Sequence, residues 1–276
     1  MPAEHLTERA LTAAQNVARA HGVPCDHAAV LAAGSNVLVH LRPAPLVARV
    51  MTGTAALHAD VASWLAREVA VGAFLADRGL AVPPAAELPP GPHHQDGLWL
   101  TFWAYVQHDA SQPATAAELG TALRHLHVAL AGYAGDLPPL RGIGDWLQSL
   151  VAELRASSPL ARSDLDRLDA RLREVAPSVF ESALPAQAIH GDAAAGNLLR
   201  SQGGLLWNDL EDVCVGPVHW DLAGLVAELR GKARSDEQVA ELLDAYGEIA
   251  RDELAPFVEA HGLYAAIWRS YSARRG

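Results

Sequence analysis

His190-Gly191-Asp192-Ala193-Ala194-Ala195-Gly196-Asn197, followed by Leu205-Leu206-Trp207-Asn208-Asp209, decides how this chain is read. Asp192 follows a glycine, Asn197 comes five residues later, and Asp209 closes a short apolar run. A carboxylate on a tight turn can orient an incoming hydroxyl and take its proton. An amide and a second carboxylate can hold Mg2+ against nucleotide phosphates. The five-residue step lets one loop return the Asn amide to the first carboxylate, and a hairpin would bring Asp209 back to the same place. The expected chemistry is phosphoryl transfer, with Asp192 as catalytic base, Asn197 and Asp209 as metal ligands, and ATP and Mg2+ as cofactors.

Near the start of the chain, Leu6, Ala10, Leu11, Ala14 and Val17 recur at helical spacing over residues 3–20, ended by Gly22 and Pro24. Ala28 to Ala32, Val37 to Leu41 and Leu46 to Val50 read as an antiparallel meander, with turn residues at both gaps. An Ala-rich helix is expected from Thr54 to Arg78, stopped by Gly79, and a buried strand from Leu98 to Val106. The polar segment Gln107 to Pro113 is the candidate domain boundary. Beyond it the chain turns helical at 114–130, 145–156 and 163–175. Short strands at 187–189, 198–200 and 205–207 flank the motif, and three or four helices fill 218–273.

These residues resemble those of the aminoglycoside phosphotransferase and choline kinase group, which shares the protein-kinase fold. The group's His-Gly-Asp, four residues and Asn are matched from His190 to Asn197, and its metal-binding Asp by Asp209. Its downstream Gly-Pro and Asp-Leu-Ala are matched by Gly216-Pro217 and Asp221-Leu222-Ala223. Upstream, Leu31 to Leu38 is similar to the nucleotide-covering loop, which places Ser35 and Asn36 at the phosphates. Leu46 to Val50 is similar to the third strand, which gives Arg49 the phosphate-binding cation's place and Glu68 the place of its partner. Leu119-Gly120 through Leu126-His127 looks like the first helix of the larger lobe, so the resemblance covers most of residues 28 to 230.

The resemblance implies an α+β, bilobal protein-kinase-like fold. Residues 1–106 would form a small N-terminal nucleotide-binding lobe with an antiparallel sheet. Residues 107–276 would form a larger, mainly helical lobe for catalysis and acceptor binding. Two departures stand out. Arg49 replaces the Lys of many kinases, and a guanidinium grips phosphate with a different geometry from an ammonium. Ala193, Ala194 and Ala195 leave no polar side chain between the base and Gly196, so phosphate contacts fall to backbone N–H groups, Ser35, Asn36 or Arg49.

Other residues are read more plainly. His190 and Gly191 shape the loop, and Asp221 caps a helix or braces that loop. Glu211 and Asp212 could face metal-bound phosphate, a substrate amine or solvent. In Thr101-Phe102-Trp103-Ala104-Tyr105 one face must be core, so Trp103 and Tyr105 serve either packing or adenine binding. His93, His94 and Asp96 read as an exposed turn rather than a metal site.

A formal net charge of −11 argues against nucleic acid or an anionic membrane as partner. Lys232 is the single lysine among 21 basic residues. From Pro185 onward there are fourteen Asp and Glu against eight Lys and Arg, which would suit an amine-bearing acceptor. Cys25 and Cys214 lie in no disulfide or zinc pattern, so a reducing, cytoplasmic setting is expected. Apolar runs such as Val69 to Ala76 fall far short of the roughly 20 residues of a membrane span, and no targeting segment is read. The partner is a small-molecule hydroxyl acceptor. Aminoglycosides, amino sugars, choline-like alcohols and neutral sugars all remain open. A degenerate kinase acting as a nucleotide or small-ligand binding module is the alternative, and a metal-dependent hydrolase a more distant one. Oligomeric state is not encoded in these patterns.

Overall fold

The spacing of Ala10, Ala13, Ala14, Val17 and Ala18, all buried, gives α1 (Ala3–Ala20) one apolar face. That face covers an antiparallel sheet of β1 (Ala29–Ala33), β2 (Asn36–His40), β3 (Leu46–Met51), β4 (His93–Gln95) and β5 (Leu98–Ala104), ordered β1-β2-β3-β5-β4. Alternation sends Val37 and Val39, Ala48 and Val50, and Leu100 and Phe102 toward α1. Their neighbours Leu38, Arg49 and Thr101, paired in register, share the opposite face. α2 (Val61–Ala76), started by Asp60 accepting the Ser63 N–H, packs on that side, where Met51, Trp64 and Leu65 are buried together.

The computed structural model describes residues 3–34, 36–53, 60–157, 162–231 and 236–272. The chain forms two units, Met1–Gln112 with Leu199–Glu211, and Pro113–Leu198 with Asp212–Gly276. The first therefore contains most of the hairpin β7 (Leu198–Ser201) and β8 (Gly204–Trp207). Trp207 is buried, donates its N–H to the Leu80 carbonyl and accepts the Val82 N–H. This stitching fixes where the chain goes next, at Asp209.

The second unit is mainly helical: α3 (Ala116–Leu130), α4 (Arg141–Ser157), α5 (Arg162–Phe180), α6 (His219–Gly231), α7 (Asp236–Tyr246) and α8 (Arg251–Ser272). β6 (Gln187–Ile189) pairs with β9 (Cys214–Gly216). Thr115 and Glu118 form a reciprocal capping box at the start of α3. A Cβ at Gly120 would collide with the Leu242 carbonyl, so glycine is what lets α3 and α7 approach so closely.

The structure differs from the sequence reading at several elements: β9 was not expected, the helix expected from Thr54 starts at Val61, residues 54–59 lying outside the described residues, and β4 and β5 are placed differently. His93 to Gln95 is not a turn but an edge strand paired with β5, and the turn proper is Asp96-Gly97, both at positive φ. His93 is half-buried against Phe102, whereas His94, Asp96 and Gly97 are exposed. The strand from Leu98 ends at Ala104, because the Tyr105 N–H turns to the Pro45 carbonyl.

Candidate active site

In the second unit, β6 delivers the chain into a sharp turn at Gly191, whose φ is +85°. A side chain there would strike the Asp212 carbonyl, so only glycine fits. Asp221, in the first turn of α6 and fully buried, accepts the His190 N–H at 2.7 Å and the Gly191 N–H at 2.9 Å. Its Oδ2 also lies 2.9 Å from His127 Nε2 on α3, and His127 Nδ1 is 2.9 Å from the Tyr246 hydroxyl. The Trp220 indole N–H donates to the Gly191 carbonyl at 2.7 Å. Burial alone would raise the Asp221 pKa, but hydrogen bonding and attraction from His127, with attraction from His190, hold it below the ordinary carboxylate range.

The turn presents Asp192, half-buried, and a single 3-10 turn (Ala195–Asn197) brings Asn197 back. The Asn197 Nδ2 donates to the Asp192 carbonyl at 2.9 Å and approaches its Oδ2 at 3.4 Å. The buried His190 accepts the Asp192 N–H at Nδ1, at 3.4 Å. Of the backbone N–H groups left by the three alanines, that of Ala195 is already given to Glu228 on α6, at 2.8 Å.

In the first unit, Arg49 on β3 is a buried hub. Its Nη1 donates to both oxygens of Glu68 on α2, each at 3.0 Å. Its Nη2 donates to Asp209 Oδ1 at 2.8 Å and to Glu211 Oε2. Glu211 is thus no solvated loop residue, since its side chain is only 12 % exposed. The segment is held by Trp64, whose Nε1 donates to the Glu211 carbonyl at 2.6 Å, and Asp209 adopts a left-handed φ of 59°, which Asp tolerates better than most residues. Burial opposes charge on Arg49, yet Glu68, Glu211 and Asp209 outweigh it and push its pKa well up. Glu68 is pushed up to about 8, first by burial and then by the repulsion of Glu211 and Asp209, against the pull of Arg49.

Asn36 opens β2 opposite Met51, whereas Ser35 lies outside the described residues. Trp103 lies in the core: its ring packs over Gly72 of α2 and its Nε1 donates to Thr101 Oγ1 at 2.9 Å. Tyr105 is half-buried and stacks on His40, with ring centroids 3.8 Å apart. Sequence reasoning named His127 only as part of a helix resemblance, without a role, and did not single out Trp64, Trp220, Glu228 or Tyr246. Their partners are distant in sequence, and no local pattern marks them.

Asp209 and Glu211 offer hard carboxylate oxygens suited to Mg2+, and the Asp209 side chain is 34 % exposed. Among the described residues no three His, Cys, Asp or Glu side chains are arranged to hold a metal unaided. Mg2+ is ordinarily bound by one or two carboxylates together with substrate phosphates, so this donor set fits it.

His261 on α8 packs at a tilt against Trp220 and is buried, which pushes its pKa down to about 4. Its Nε2 has no hydrogen-bond partner among the described residues. Its folded-state pKa lies below its unfolded value of 6.5, so its contribution to stability is intact above that pH. The unfolded chain takes up the proton first as pH falls, so stability should drop between pH 6.5 and 4, by on the order of 2–3 kcal/mol. Urea melts at pH 7.5, 6 and 5 check this. His261→Gln should flatten the dependence, and an unchanged slope would show that other groups set it.

The model of the phosphotransferase enzyme family matches residues 28–257. The chain belongs to this family and is a small-molecule kinase. No curated protein matches it in sequence. Among solved structures, choline kinase LicA from Streptococcus pneumoniae is similar at 14 % identity and a TM-score of 0.69, over 95 % of this chain and 90 % of that one. Aminoglycoside phosphotransferase APH(3'')-Id from Streptomyces rimosus is similar at 17 % identity and 0.65, over 92 % and 98 %. Amicoumacin kinase hAmiN, solved with AMP-PNP, Ca2+ and Ami, is similar at 15 % identity and 0.70, over 94 % and 86 %. These likenesses establish the bilobal kinase-like α+β fold. Among the described residues no helix is long and apolar enough to cross a membrane.

Proposed function

We propose that the protein transfers the γ-phosphoryl group of ATP, with Mg2+, to a hydroxyl of a small amine-bearing molecule such as an aminoglycoside or amino sugar. The observation that carries this reading is the Asn197 amide turned back onto Asp192, on a loop pinned by Asp221. Asp192 would accept a hydrogen bond from the acceptor hydroxyl and take its proton as the new O–P bond forms and the bond to the departing diphosphate breaks. Arg49 would bind nucleotide phosphate with Glu68 as its anchor, aided by Ser35 and Asn36, and the 102–105 backbone and Tyr105 would contact the base. Asn197 and Asp209 would hold Mg2+, which when bound neutralises charge on the phosphates.

The first unit would thus serve the nucleotide and the second the acceptor. Fourteen acidic against eight basic residues from Pro185 onward support an amine-bearing acceptor. Cys25 and Cys214 are free and buried, which fits a reducing cytoplasm. The test is ADP release with Mg-ATP across aminoglycosides, amino sugars, choline and neutral sugars. Release that depends on one amine-bearing class supports the reading. Release with neutral sugars alone would overturn the acceptor assignment.

A further inference from the structure

We infer that Arg49 makes the first unit selective for nucleotide and metal together, by occupying the metal's carboxylates itself until a triphosphate draws it away. The inference rests on the proposed roles of Arg49 at phosphate and Asp209 at metal.

The two ends of the guanidinium have different tasks. Nη1 is fixed by both oxygens of Glu68, whose side chain is 1 % exposed and sits on α2. With that end anchored, Nη2 is aimed at Asp209 and Glu211, and the Arg49 side chain is only 7 % exposed. The carboxylates cannot easily withdraw. Trp64 grips the Glu211 carbonyl, and Trp207 is stitched to the 80–82 segment just before Asp209.

A planar fork can serve Glu68 on one side and two further carboxylates on the other, whereas the ammonium of a Lys is one point charge. Here the cation is an Arg, in a chain whose single lysine is Lys232. Nη2 holds Asp209 Oδ1 and Glu211 Oε2 and sets its positive charge beside both carboxylates, so a free divalent ion that uses those two oxygens has to displace it. Nucleotide phosphates compete for the same N–H donors, and in taking them they release the carboxylates. Each ligand removes the obstacle to the other, a coupling that must be reciprocal.

The test is calorimetric titration of Mn2+ into the intact protein and into Arg49→Lys, without nucleotide. The Lys variant should bind free Mn2+ at least about tenfold more tightly than the unaltered protein. Equal affinities within twofold would overturn the inference while leaving the kinase reading standing. If neither protein binds Mn2+ with AMP-PNP, the reading itself falls, and this inference with it. Should the variant fold poorly, arginine side-chain NMR on the unaltered protein reads the same contact. The Arg49 Nη protons should exchange slowly without ligand, stay unshifted with millimolar Mg2+ alone, and shift when AMP-PNP is added with it. A shift with Mg2+ alone would contradict the inference.

Discussion

Asp192→Asn is expected to lower turnover by about 100- to 10,000-fold, the usual contribution of a positioned general base. Nucleotide affinity should stay within about twofold, since the proposed phosphate contacts lie on other residues. Asn has the shape of Asp, and the Asn197 amide can still donate to the main-chain carbonyl of residue 192, its 2.9 Å partner. What is lost is the ability to take a proton. Steady-state kinetics with a nucleotide-binding titration separate the two quantities. Turnover within twofold of the unaltered protein would remove Asp192 from the catalytic role.

Asp221→Ala is expected to have the largest effect on stability, on the order of 3–5 kcal/mol in urea melts, because it strands buried groups rather than removing a surface contact. The N–H groups of His190 and Gly191 and the Nε2 of His127 would all lose their partner, in a place where Asp221 is fully buried. The loss also reaches the chemistry, since the two N–H groups immediately precede Asp192. Asp221→Asn preserves volume but turns an amide toward donors that need an acceptor. It should keep the protein folded and lower turnover more than it raises KM for the acceptor. A folded Asp221→Asn protein with normal turnover would reduce Asp221 to a helix cap.

These two residues could be read from the sequence because their motifs are local. Asp192 and Asn197 are five residues apart, and Asp221 follows Gly216-Pro217 at a helix start. α1 was legible because its buried positions recur at helical spacing, and the meander of β1 to β3 because β-branched runs are separated by turn residues, even though β1 itself is mostly exposed. The limits are equally physical. β4 is polar and short, and becomes a strand only through its ladder with β5. Alternation told that one face of β5 is core, but not that Gly72 leaves room for the Trp103 ring. Glu211 could not be separated from solvent by sequence, because its partner Arg49 is 162 residues away. Trp64, His127 and Tyr246 likewise act on residues far away in sequence, where no periodicity reaches.

Phosphoryl transfer itself is read by identifying the product with phosphorus NMR after incubation of the protein with Mg-ATP and the acceptor that stimulates ADP release. The expected product is a phosphate monoester of the acceptor in amount equal to the ADP, absent without Mg2+ and formed at least about 100-fold more slowly with Asp192→Asn. Inorganic phosphate in its place would make the protein a hydrolase, and nucleotide binding with no product on any acceptor would make it a binding module; either result would contradict phosphoryl transfer.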